Sequence, residues 1–330
     1  MRERLLSRFA LLSLLTLMVV QPGSAVARPA LEIVGPSGTR ALTLAQIRKL
    51  PATAGLAGVK SSTGRITPPV RYRGVALEDL LAGTAGFDAS TDVVVLARDG
   101  YSMTLSFDQV TKGTFAAYDP STGDSLAPTG ALTPILAYEC DGKALNAETD
   151  GALRLVIVGR RNDRVTDGHW WVKWVTRVEL GPVRREWTLL LEGAMTETMD
   201  RATFESGASP GCHGATWKDE RGRAWTGIPL WLLVGRVDDG NRHGGGAFSD
   251  SLAAAGYAVD VVAGDGRRVT FDGARLRRND GILIAYPRDG APLSEHDFPL
   301  RLVGADVRKD ESLGGIGRIA VRPPPATPRD

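Results

Sequence analysis

The chain is poor in the residues that usually announce a chemistry. It holds only two cysteines, Cys140 and Cys212, and four histidines in 330 residues. That excludes a small disulfide scaffold and the paired Cys/His spacings of a zinc site. Aromatic residues make up 6% of the chain, so the core must be largely aliphatic. No Gly-x-Ser-x-Gly elbow, Walker loop or dinucleotide fingerprint occurs. Charge is also lacking: 40 basic side chains face 38 acidic ones. Setting aside Arg2, Glu3, Arg4 and Arg8 leaves the remainder formally neutral. No basic field for nucleic acid is present.

One long apolar run exists, Phe9 to Val20, behind a basic start and ahead of Ala25-Val26-Ala27. This predicts a signal peptide over residues 1–27 and a periplasmic or secreted protein with no transmembrane span after leader cleavage. Arg2 and Arg4 are split by Glu3, so the leader has no twin-arginine pair.

Glycine is abundant, with 39 residues, and often follows aspartate: Asp99-Gly100, Asp141-Gly142, Asp265-Gly266, Asp289-Gly290. Asp-Gly between apolar alternations predicts hairpins, so the chain reads as strand-rich. Blocks recur in the same order. "LEIVGPSG" matches "LLLEGAMT", "RYRGVALEDLLAG" matches "AWTGIPLWLLVG", and "VVVLARDGYSMTLSF" matches "VDVVAGDGRRVTF". "ILAYECDGKAL" matches "LIAYPRDGAPL", "ALRLV" matches "PLRLV", and "VTRVEL" matches "IGRIAV". The pattern predicts a tandem duplication of units of roughly 150 residues joined near Gly181-Pro182. The boundaries are 28–181 and 182–322, with a disordered tail at 323–330.

Each unit reads as α+β, with mixed sheets and short helices. A strand at Leu31–Val34 leads to a helix capped by Thr43, with Pro51 past its end. Leu77, Leu80 and Leu81 form one face of a second helix. "DVVVLA" is a continuous apolar run suited to the middle of a sheet, and "YSMTLSF" alternates as a strand with one wet face. Alternation through "WWVKW" puts Trp170, Val172 and Trp174 on one strand face and Trp171 and Lys173 on the other.

Taken together, W-x-G-[VI]-P-L, D-G-Y, A-Y-x-x-x-G-x-x-L, P-L-R-L-V and V-K-W-x-x-R-[VI] resemble the molybdopterin-binding domain of sulfite-oxidase-type oxidoreductases. The resemblance implies two tandem sulfite-oxidase-like units. It also implies a molybdopterin cofactor with molybdenum, oxidoreductase chemistry on a small oxyanion or sulfoxide, and a redox partner protein. In that family one cysteine thiolate ligates the metal, a fitting use of a soft donor. Cys212 stands before Trp225 as that cysteine would, which makes it the catalytic and metal-ligand candidate. The same interval counted back from Tyr72 lands on Val59, so the first unit has no ligand. The lysine that approaches the pterin corresponds to Lys173 in Val172-Lys173-Trp174, and the second unit lacks it. The motif is thus split between the copies.

The residues alone leave alternatives open. Cys212 reads equally as half of a disulfide with Cys140 or as an inert thiol. His213 and Arg242 are candidates for contacts to cofactor or an anionic ligand, or are solvated loop residues; Arg242 and His243 sit in "DDGNRHGGG", an insertion absent from the first unit. The cluster of His169, Trp170, Trp171 and Trp174 reads as a packing interface between units or as a ligand-stacking wall. Arg154 and Arg301 share a slot and read as structural. A cofactor-free binding or interaction module that kept the fold stands beside the enzyme.

Overall fold

The structure, a computed structural model, describes residues 28–127, 132–241, 246–288 and 293–322. The expected signal peptide, the tail, Arg242 and Asp289-Gly290 lie outside the described residues. The architecture is α+β: strand-rich mixed sheets with a few short helices. No helix among the described residues is long and apolar enough to cross a membrane.

Four sheets carry the fold. One five-stranded sheet runs Gly38–Leu42, Leu31–Gly35, Val175–Pro182, Thr91–Ala97, Ser102–Ser106. Another runs Thr196–Asp200, Thr188–Glu192, Ile316–Arg322, Ala258–Ala263, Arg268–Asp272. Both have the same directions, parallel only between second and third strands. In the other pair, Thr53–Lys60, Ile66–Ala76, Thr133–Cys140, Arg154–Val158 run in the order of Ala215–Lys218, Ala224–Pro229, Leu283–Pro287, Arg301–Val303. Among the described residues the earlier of these sheets is extended, by Lys143–Ala144 beside Thr133–Cys140 and through Val165–Asp167, Ala117–Tyr118 and Ser125–Leu126 beyond Thr53–Lys60.

Local chemistry explains the elements. Thr43 caps helix Leu44–Ile47 with a capping box closed by Gln46, and Leu77, Leu80 and Leu81 are all buried on helix Leu77–Leu81. Asp99-Gly100 and Asp265-Gly266 turn the hairpins. A Cβ at Gly74 or Gly227 would lie 2.1 Å from the carbonyl oxygen of Leu136 or Ile284, so each turn motif needs a glycine where its strand meets the next. Arg154 Nη1 donates to Asp150 at 2.7 Å and Arg301 Nη1 to Asp297 at 2.9 Å; the Nε of each is buried without a partner.

One expectation holds only in part and another fails. On the Ser102–Ser106 strand Met103 and Leu105 are buried on one face, while on the other Ser106 is exposed and Ser102 half-buried but Thr104 is buried. Helix Arg201–Gly207 packs across it, a long-range contact that alternation cannot register. Phe107 belongs not to that strand but to helix Phe107–Lys112, whose Ser106–Gln109 capping box was readable in the sequence. The "WWVKW" segment is not a strand either. Gly168–Trp170 is a 3₁₀ turn, and pairing resumes only at Val175.

Each half has its own apolar core, one drawn from Leu31 to Val178 and one from Leu189 to Ile319. A buried ion cluster joins them. Arg201, with its side chain 4% exposed, donates to Asp92 of the Thr91–Ala97 strand at 2.9 Å and to Glu186 at 2.6 Å, while Arg184 forks onto Glu205. Removing Asp92 takes from Arg201 its close buried partner and leaves the exposed Glu186 and, at 3.5 Å, Glu205. Asp92→Ala should lower the unfolding free energy by about 3 kcal/mol, read as a lower urea midpoint at constant slope.

Candidate functional site

Helix Arg201–Gly207 ends in a tight loop that carries Cys212. Cys212 N and Gly214 N both donate to Ser209 O, at 3.0 and 3.1 Å, and His213 N donates to Gly207 O at 3.0 Å. The loop is pressed onto the Asp99-Gly100-Tyr101 turn of the first half. A Cβ at Gly211 would stand 2.5 Å from Tyr101 N. Tyr101 in turn donates its hydroxyl to His169 O at 2.8 Å, and Arg98 N donates to Trp174 O at 2.9 Å. One hairpin turn therefore sets the cysteine loop and the His169–Trp174 segment side by side.

The result is a cleft of about 1000 Å³ between the halves. The first half lines it with Lys60, Asp99, Tyr101, Tyr118, Asp167, His169, Trp171, Lys173 and Trp174; the second supplies Glu197, Met199, Asp200, Cys212, His213 and Arg236 among others. Cys212, Lys173 and His213, predicted from the sequence, thus share one cavity. Arg242 lies outside the described residues; its neighbours Gly240 and Asn241 line the same cleft. Both cysteines are free, and Cys212 is exposed.

The tryptophans divide. Trp170 is buried in the first core, edge-on to Phe115. Trp171 meets Tyr72 edge-on and lies under Arg154. Both pack within the first half rather than between halves. Trp171 and Trp174 also face the cleft.

Electrostatically the cleft is mixed. Arg236 lies fork-on-carboxylate with Glu197, Nη2 at 2.6 Å. Lys60 donates to Gly123 O at 2.7 Å and stands 4.0 Å over the Tyr118 ring, whose hydroxyl donates to Asp167. Lys173, with its side chain 42% exposed, stands 3.8 Å from Asp150 and is the least engaged cation among the described lining residues. His169 is pushed below its usual pKa by burial, against the pull of Asp167 and Asp200, and its Nε2 is buried without a partner. Sequence reading missed Lys60, Tyr118 and Arg236. Arg236 follows the Trp-Thr-Gly-Ile-Pro-Leu helix directly, but its partner Glu197 is on a distant edge strand.

The Cys212 thiol is held above its usual value of 9.0, first by desolvation and also by Asp99, against the His213 backbone N–H and Arg236. It is therefore protonated at neutral pH. No group of three or more His, Cys, Asp or Glu suited to a metal occurs among the described residues.

No family model matches the chain, and no curated protein matches it. Among solved structures it is similar to the sulfane dehydrogenase SoxCD from Paracoccus pantotrophus, at 17% identity and a TM-score of 0.37. That match covers 78% of this chain and 60% of the other.

In metal-free protein, alkylation of Cys212 by iodoacetamide should rise with pH through a midpoint above 9.0. Asp99→Asn should move that midpoint down and Arg236→Ala should move it up, as rates across a pH series would report.

Proposed function

We propose that the chain is an exported protein of two copies of one sulfite-oxidase-type unit, 28–181 and 182–322, sharing a single molybdopterin-dependent oxidoreductase site. The duplication is supported by the matching sheet orders, the paired Asp150–Arg154 and Asp297–Arg301 contacts, and the recurring sequence blocks. The observation that carries the functional reading is the meeting of Cys212 from one half with Lys173 from the other in one cleft. A motif split along the sequence is joined in space.

The residues fit such a group. A single exposed soft donor opens on a cavity of about 1000 Å³, ample for a pterin, and His169 is among its lining residues. When bound, the cofactor supplies oxygen-atom transfer. Cys212 would hold the metal as its thiolate, the form that Arg236 favours. Lys173 and His213 would contact the cofactor's anionic end or the substrate, and Arg242 is a further candidate for that role. The substrate is a small oxyanion or sulfoxide; Asp99, Asp167, Glu197 and Asp200 line the cleft beside Lys60, Lys173 and Arg236, so its lining charge favours neither class. Electrons pass to or from a redox partner protein.

A second reading, a cofactor-free module binding a small molecule, is favoured by the raised thiol pKa and by the neutralisation of Arg236 by Glu197. Elemental analysis of protein purified from its native envelope separates the two. Stoichiometric molybdenum that disappears in Cys212→Ser is the expected result; wild-type protein free of metal would leave the second reading.

A further inference from the structure

Positions 174 and 315 are structurally the same place in the two halves. Val175 pairs with Ala97 before a register shift, and Ile316 pairs with Ala263 beside the same irregularity. Arg98 N donates to Trp174 O at 2.9 Å, and Gly264 N donates to Gly315 O at 2.9 Å. Val175 N reaches Leu153 O as Ile316 N reaches Leu300 O, at 3.0 and 3.1 Å. The backbone is left-handed at both, with φ +49 at Trp174 and +73 at Gly315. Glycine takes that conformation without a steric penalty, whereas a bulky side chain is strained in it. The second half uses the residue the backbone asks for; the first uses the largest side chain there is.

Packing does not account for the tryptophan. Trp170 and Trp171 both belong to or rest against the apolar cores, but Trp174 joins none of them. Its indole N–H goes to Glu148 O at 3.0 Å and its backbone N–H to Asp150 O at 2.8 Å. Gly151 lies directly beneath it, where a Cβ would be 2.6 Å from Trp174 Cα. The indole lines the cleft that Cys212 opens on, with the Arg98 guanidinium 5.6 Å and the Lys173 ammonium 5.8 Å from its ring. Strain that the surroundings enforce, without core packing in return, points to a functional use.

We infer that Trp174 is a stacking platform, held in a left-handed conformation to present its indole to a planar, negatively charged heteroaromatic ring in the cleft. The ring lies against the indole face, and Lys173, the flanking cation that also lines the cleft, meets its charge. This rests on the reading of the cleft as a cofactor site and adds the residue that sets affinity and orientation there.

The test uses pterin-6-carboxylate as probe, with cyclohexanecarboxylate as a control of equal charge and no flat ring, titrated calorimetrically into metal-free protein. Wild type should bind the first and not the second. Trp174→Gly, which copies the second half, should weaken the probe about tenfold. It should also raise Tm by about 2 °C through relief of strain. Trp174→Phe should keep affinity within about threefold of wild type, since a flat ring remains. Undiminished binding by Trp174→Gly would overturn the proposal, as would a Tm loss of several degrees, which would mark the indole as a packing residue. Equal binding of the control, or no binding of the probe by wild type, would also overturn it. The metal content measured as above judges the cofactor reading separately.

Discussion

The arrangement depends on a buried cation between two cores. Arg201 opens the helix that leads to the cysteine loop, and its guanidinium reaches across to Asp92 in the other half. A charge so far from water is tolerated only where carboxylates converge on it, and Asp92, Glu186 and Glu205 do so. The geometry of those partners fixes where the helix lies on the Ser102–Ser106 strand. That in turn presses Gly211 against Tyr101 and brings Cys212 to the cleft. The site is a consequence of the junction, and no residue of either half makes it alone.

Within the cleft, charge is spent mostly on the protein itself. Glu197 absorbs Arg236, the Gly123 carbonyl and the Tyr118 ring absorb Lys60, and burial keeps His169 neutral. Lys173 remains the most available of the described lining cations. In such a cavity selectivity comes from shape and a few polar groups. The strained Trp174 borders this space, a cost that folding alone does not require.

Much of the local structure was legible. Thr43 announced a helix start because its hydroxyl can take a backbone N–H three residues on. Leu77, Leu80 and Leu81 announced a buried face, and Asp-Gly pairs announced turns. One reading held only in part and another failed, for one reason. The wet face assigned to Ser102–Ser106 is closed at Thr104, where a helix from nearly a hundred residues later packs on the strand, and the alternation assigned to Trp170–Trp174 is broken by a 3₁₀ turn and a left-handed residue. Periodicity reports a strand's own pattern, and these outcomes were set by what packed against it. Of the residues that line the cleft, Cys212 and Lys173 were singled out by motif position and His213 by its place beside Cys212, whereas Arg236, Tyr118 and Lys60 were not singled out.

By itself the sequence determined many of the elements, the order of its similar blocks and the rarity of reactive groups, because capping, turn preference and apolar spacing act over a few residues. Only the tertiary structure decided that a cysteine from one half and a lysine from the other share a cleft. That outcome rests on a buried ion cluster and a glycine-tight loop contact, whose partners lie a hundred residues apart and leave no local pattern to read.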